Sequence, residues 1–252
     1  MLGSLLFPKE VKQNIILIQN SILLLAWQTN SAAKLVKARL WNLELMENIE
    51  LLQRIYVGKR AELKRTILHE ALFCFLNHGI ETTNIEMIRE RAETSVGAIY
   101  HHFKNKEGIV RALYLSALQD QAQRREHALS QVRSLEDAIK AIVSSYIDWV
   151  MDFPDFARFL YMSGALVNRV DQDLELKQTN HQRNQDLRKY MQSFEDAEKI
   201  KRIPQELLLS LVIGATESYC RAWLSHKVKT SPQAYQKVLA NTAWNNIAYF
   251  PK

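Results

Sequence analysis

TSVGAIYHHFKNKEG, residues 94–108, reads as a short helix that carries Gly97 near its start and crowds Tyr100, His101, His102 and Phe103 ahead of Lys104-Asn105-Lys106. Ser95 is a good N-cap for a helix over 96–103, and Asn105 caps a further one. At 100° per residue, Ile99 and Phe103 fall together and face a core. Gly97, Ala98 and His101 fall opposite, with Tyr100 and His102 on the flanks. A glycine inside a helix costs about 1 kcal/mol relative to alanine. Its use here is backbone approach: Gly97 and Ala98 remove bulk where a helix end must enter a groove. The alternative is a glycine that lets two helices of the same chain pack closely.

Working outward, the segment from Lys59 is strongly helical, with Leu63, Ile67, Leu68, Ala71, Leu72, Phe75 and Leu76 on one wide apolar face. Asn77-His78-Gly79 stops it, with Gly79 as the left-handed residue after the helix and Ile80 packing back. Thr83-Asn84-Ile85-Glu86 reads as a capping box opening a short helix over 84–91. Glu93-Thr94 leaves room only for a tight turn before Ser95. One amphipathic helix followed by two short helices on a three- to four-residue turn is a helix-turn-helix. There the N-terminal part of the second helix meets base edges in the major groove, and Tyr100, His102 and Lys106 can reach phosphates that fix the register.

Other chemistries find no footing. Adjacent histidines at 101 and 102 point about 100° apart on a regular helix and cannot chelate one metal. No nucleophile is spaced with a base or a paired carboxylate, so neither an enzyme, a metal site nor a cofactor is expected. Cys74 and Cys220 lie within apolar helical patterns and read as buried free thiols, which fits a cytoplasmic protein. The formal charge is +6. Dividing the chain after residues 55 and 115 leaves +2 in each part, so net charge singles out no segment.

Beyond Ser116 only long helices are expected, opened at Ser134-Leu135-Glu136-Asp137, at Pro154, at Pro204 (204–226) and at Ser231-Pro232 (232–249). The chain is therefore all-α. Its first 55 residues hold the most apolar run, IILIQNSILLLAW over 15–27. That run is shorter than the roughly 20 residues of a membrane span, and polar residues interrupt it. Residues 1–55 read as an appended helical extension, with Met46 as an alternative start. A membrane-surface or scaffold protein whose function lies in this extension is the competing reading.

Residues 59–115, through ILHEALFCFLNHGIETTNIEMIRERAETSVGAIYHHFKNKEGIVRAL, resemble the DNA-binding domain of the tetracycline-repressor (TetR) family of bacterial transcription regulators. The likeness rests on the His-Gly stop of the first helix, the threonine before the second, and the Ile-Tyr-x-His-Phe-x-x-Lys-Glu element. It implies three regions: an extension at 1–55, a three-helix helix-turn-helix domain at 56–115, and a helical ligand-binding and dimerisation domain at 116–252. It implies double-stranded DNA with a near-palindromic operator as partner. Thr83 and Lys106 would sit on phosphate, Ser95, Val96, Gly97 and Ala98 in the groove-reading turn, and Tyr100 and His102 at contact positions. His101 and Lys104 complete the outward face. Glu93 stands where the family often has glycine, and Val96 where a polar or basic residue is common, which favours an apolar contact such as a thymine methyl. Glu86 adds a negative charge to the supporting helix. The resemblance further implies a homodimer formed through 204–226 and 232–249, and a small-molecule effector. Trp149, Phe153, Phe159, Asn180, Arg183 and Glu217 are the candidate ligand contacts, drawn from an aromatic-rich set over 146–162 and a few polar markers.

Overall fold

Asn84, Ser95, Asn105 and Ser134 each place a side-chain oxygen where it accepts from the backbone N–H three residues ahead, at Met87, Ala98, Gly108 and Asp137. Four helices start where a short polar side chain satisfies an otherwise orphaned donor. A computed structural model describes residues 48–169 and 185–251, and of 165–169 the backbone alone. The described residues contain helices and turns and no strand. In chain order they are α1 (48–55), a 3-10 turn (Lys59–Ala61), α2 (Glu62–His78), α3 (Ile85–Arg91) and α4 (Val96–Phe103). Then come α5 (Lys106–Leu129), α6 (Leu135–Asp152), α7 (Pro154–Arg169), α8 (185–191) and α9 (Glu198–Lys201). The last are α10 (Gln205–Leu224), a 3-10 turn (Pro232–Tyr235) and α11 (Gln236–Ala248).

The local expectations hold at α4, which spans 96–103, and at the starts of α6 and α7. The Asp137 N–H donates to Ser134 Oγ, and that hydroxyl donates in turn to the Asp137 carboxylate, so one arm of a capping box is made and the other is replaced by a side-chain bond. Two readings need correction. The cap of α3 is Asn84, not Thr83. Glu86 does not reach back to close a box but pairs with Arg89 at 2.6 Å. The segment expected to be helical over 232–249 begins as a 3-10 turn and becomes α-helical only at Gln236.

The expected extension at 1–55 also divides differently. Residues 1–47 lie outside the described residues. Residues 48–55 are part of the folded body: Leu51 and Leu52 are fully buried, and Asn48 donates to Asp155 at the start of α7. Arg54 donates to Asp120 of α5 at 2.8 Å, and Trp149 of α6 donates to the other oxygen of that carboxylate at 3.0 Å. Asp120 is 3% exposed, and a buried carboxylate is tolerated only with partners of this kind. The Arg54 and Arg124 guanidiniums lie over the Phe153 ring at 5.0 and 5.4 Å, so one aromatic ring is held by α1 and α5 together.

The core is continuous from α2 to α11. Its join between the helix-turn-helix and the helices behind it is Phe75 of α2 stacked on Phe159 of α7, ring centroids 5.9 Å apart. Helix α5 belongs to both halves: it packs on α2 and α4 and also on α6 and α7, and its Ile109, Leu113 and Ala117 lie in the common core.

Candidate nucleic-acid interface and effector cavity

Ile99 and Phe103 of α4 are buried, and the opposite face is open. Ser95, Val96, Gly97, Tyr100, His101 and Lys104 are exposed; Ala98 and His102 are half-exposed. A Cβ built on Gly97 would meet only Ser95 Oγ, at 3.9 Å. Among the described residues no neighbouring helix requires glycine there, which speaks against the intrachain-packing explanation. Gly108, fourteen residues after Thr94, is the opposite case: its Cβ would stand 1.9 Å from the Phe103 carbonyl oxygen. That close approach seats the start of α5 against the end of α4. Glu93 adopts φ 47° and Lys104 φ 65°, both in the left-handed region that favours glycine. The turn before α4 thus demands the conformation that a glycine takes most easily, and Glu93 takes it instead.

Two expected phosphate contacts are engaged inside the chain. The Thr83 hydroxyl is buried and lies 2.7 Å from the Gly79 carbonyl and 3.2 Å from that of Cys74. It ties the α2–α3 turn rather than facing DNA. Lys106 donates through Nζ to the carbonyls of Ile80, Glu81 and Thr83 at 2.9, 3.1 and 2.9 Å. All three ammonium donors are used, so Lys106 clamps the turn before α3 to the start of α5. Basic groups that the sequence reading missed lie elsewhere. Lys59 and Arg60 are exposed on the 3-10 turn before α2. Lys64 lies 4.2 Å from the Tyr56 ring centroid and 5.8 Å from that of Phe103. Arg65 donates to the Tyr56 and Gly58 carbonyls, fixing that arm. The signal was present as Lys-Arg-x-x-x-Lys-Arg over 59–65. Burial, then His101 and Lys64, push the His102 imidazole below its ordinary range and favour the neutral ring.

A cavity of ≈ 310 Å³ lies between α5, α6, α8 and α10. Leu118, Ala122, Ile142, Leu209, Val212 and Ile213 give it an apolar body. Tyr114, Gln121 and Arg125 of α5, Ser145 and Tyr146 of α6, and Glu217 of α10 give it polar groups. Behind Tyr146, its hydroxyl lies 2.6 Å from that of Tyr161. Burial holds both in the neutral form at any ordinary pH. Burial, with Glu217 adding to it, pushes the Cys220 thiol up to about 12, so it is no nucleophile.

A family model described as "Bacterial regulatory proteins, tetR family" matches residues 67–113, which run from α2 to the first turns of α5. The chain is 27% identical over 121 residues to the HTH-type transcriptional repressor AcnR of Corynebacterium efficiens. That match covers 47% of this chain and 57% of AcnR, so the chain spans little more than half of this curated relative. Among solved structures, a TetR family transcription regulator from Marinobacter aquaeolei superposes with TM-score 0.62 at 17% identity, covering 74% of this chain and 96% of that one. Residues 67–113 thus match the DNA-binding region of the TetR family, and the solved structures share the fold. A third similarity is to the regulator FadR of Bacillus subtilis, solved in complex with stearoyl-CoA. It has TM-score 0.55 at 16% identity, covering 71% of this chain and 97% of that one.

Within this TetR-family fold the expected ligand contacts sort sharply. Glu217 lines the cavity. Trp149, Phe153 and Phe159 do not: Trp149 bonds Asp120, Phe153 lies between two guanidiniums, and Phe159 stacks on Phe75. They are core, at 1%, 3% and 0% exposure. Asn180 and Arg183 fall outside the described residues. The segments expected to pair two subunits, 204–226 and 232–249, present both buried and outward residues. Leu208 and Val212 of α10, and Ala243 and Ile247 of α11, are buried within the chain. Leu207 and Ala215 of α10, and Tyr235, Val238 and Tyr249 around α11, face outward. Among the described residues no helix is long and apolar enough to cross a membrane.

Proposed function

We propose that the chain is a sequence-specific DNA-binding transcriptional repressor, released from its operator by a small molecule. The observation that carries this reading is Gly97, a glycine in a short helix with nothing of its own chain to accommodate. Val96, Gly97 and Ala98 read the major groove, Tyr100, His101 and His102 follow it, and Lys104, Lys59 and Arg60 meet phosphate. Repression is what the name of the Corynebacterium relative adds. That such a regulator takes a ligand is what the stearoyl-CoA complex of the Bacillus neighbour adds.

The operating unit is a homodimer, joined across the outward faces of α10 and α11, where Leu207, Val238 and Tyr249 offer unburied apolar surface. Two reading helices about 34–36 Å apart fit successive major grooves of a near-palindrome. Helix α5 links the two sites. It starts beside α4 and forms one wall of the cavity, so an effector that prefers another placement of α5 changes the spacing of the reading helices. Such an effector needs different affinities for the two states, because equal binding shifts nothing. The protein performs no catalysis and works in the cytoplasm, where its two unpaired thiols, Cys74 and Cys220, stay reduced.

The deciding experiment is selection of fragments of the source genome by the purified protein, then a salt titration on the fragment recovered. A near-palindrome bound by a dimer, with affinity falling steeply as salt rises and lost in Tyr100→Ala, is the expected result. Weak and uniform binding of random fragments would overturn the reading.

A further inference from the structure

Besides the stack of Phe75 on Phe159, the helix-turn-helix is tied to the helices behind it through α1 and the loop that follows. At one end of α1, Asn48 donates to Asp155 at the start of α7, at 3.0 Å. Leu51 and Leu52 are fully buried. Arg54 donates to Asp120 of α5 at 2.8 Å, and its guanidinium lies 5.0 Å from the centroid of Phe153, at the corner between α6 and α7. Just past α1, the Tyr56 hydroxyl is hydrogen-bonded to that of Ser116 on α5 at 3.1 Å. The Tyr56 carbonyl accepts from Arg65 of α2 at 2.6 Å, and its ring lies 4.2 Å from Lys64 Nζ. Lys64 in turn stands 5.8 Å from the ring of Phe103, the residue that anchors α4. A helix roughly 12 Å long thus runs from the α6–α7 corner to the base of the reading helix.

We propose that α1 is a strut that sets the angle of the reading helix on the body, and that Arg54, Asp120 and Tyr56 are positioning residues for DNA reading. The inference rests on the dimeric reading of DNA proposed above, because the spacing of two half-sites matters only to reading helices held at a fixed angle. Asp120 holds the strut in place. Its carboxylate is 3% exposed; Trp149 supplies a neutral donor, and Arg54 supplies the charge. Withdrawing α1 would strand a buried anion, which is strongly unfavourable. The strut also opposes the cavity. Ser116 and Asp120 lie on the side of α5 turned away from Tyr114, Leu118, Gln121 and Arg125, which line the cavity. Displacing α5 from the cavity side therefore works against α1. Residues 48–65 precede the segment shared with the family model, so that likeness assigns them no role.

The test uses the operator recovered by genomic selection, remade with its half-sites two and four base pairs further apart, and a fragment with one half-site. Each added base pair turns one half-site by about 35°, so wild-type protein is expected to prefer the natural spacing by about tenfold or more. Arg54→Met combined with Asp120→Asn removes both charges together and leaves Trp149 an acceptor. It should cut the preference to about threefold or less, with single half-site binding as in wild type. Tyr56→Phe, which deletes one hydroxyl, should narrow the preference less and serves if the pair does not fold. Arg54→Lys, which keeps the charge, should hold it near wild type. Leu135→Ala, a buried position at the start of α6, is the control for lost stability and should weaken all sites alike. A preference that survives in the strut variants, that falls equally in Leu135→Ala, or that is lost together with half-site binding would overturn the strut and leave the regulator standing. Wild-type protein that selects no DNA overturns the regulator reading, and the strut with it.

Discussion

The reading helix and the cavity are built on opposite terms. Helix α4 is specified within ten residues: Ser95 caps it, Ile99 and Phe103 anchor it, and Val96, Gly97, Tyr100 and His101 face outward. The cavity is assembled from four helices that span more than a hundred residues, and no short stretch announces it. A surface meant for an external partner is legible locally, because its residues need not satisfy anything inside the protein. An internal site is legible only once its walls have been brought together.

The largest expected effect falls where the two regions join. Phe159→Ala should cost about 3–5 kcal/mol of stability, since its ring fills the contact between α2 and α7. Denaturant unfolding measures it, and a loss under 1 kcal/mol would mean that the two halves are not stacked through this pair. Next comes Lys106→Met, expected to lose about 1.5–3 kcal/mol and to weaken DNA binding with an unchanged salt slope. A phosphate-contacting lysine would instead reduce that slope by about one, so the titration separates a clamp from a contact. Gly97→Ala sharpens the comparison further. It should stabilise the fold by up to ~1 kcal/mol while weakening the operator complex, and a variant that gains stability with no loss of affinity would empty the groove-approach argument. The smallest effect concerns His102. Because its imidazole is pushed below the ordinary range, it is neutral near pH 7, and it gains a charge only as the pH falls below about 6.5. DNA affinity should therefore rise by less than about tenfold on acidification, and His102→Gln should flatten that rise.

Particular residues show why some of this was readable and some was not. The span of α4 and the caps at Ser95, Asn105 and Ser134 depend on neighbours three or four places away, and hydrophobic periodicity carries that information. The cap of α3 was misplaced by one residue, because Thr83 and Asn84 are both capable caps and only the burial of Thr83 against Cys74 and Gly79 decides between them. Lys106 was assigned to DNA because its partners lie 23 to 26 residues upstream. Trp149, Phe153 and Phe159 have the composition of a pocket and the burial of a core. The wall that does line the cavity, Tyr114 to Arg125, mixes polar and apolar residues on one stripe and gives a weak periodic signal.

By itself the amino-acid sequence determined that the protein is all-helical, that a helix-turn-helix stands within 56–115, and which face of its last helix turns outward. Those properties follow from capping chemistry and from a 3.6-residue period, both local. Tertiary structure alone decided that residues 48–55 belong to the body, that Thr83 and Lys106 brace a turn, and which helices wall the cavity. Each of those depends on which distant backbone or side chain a polar group meets, and burial leaves such a group no stable choice except to meet one.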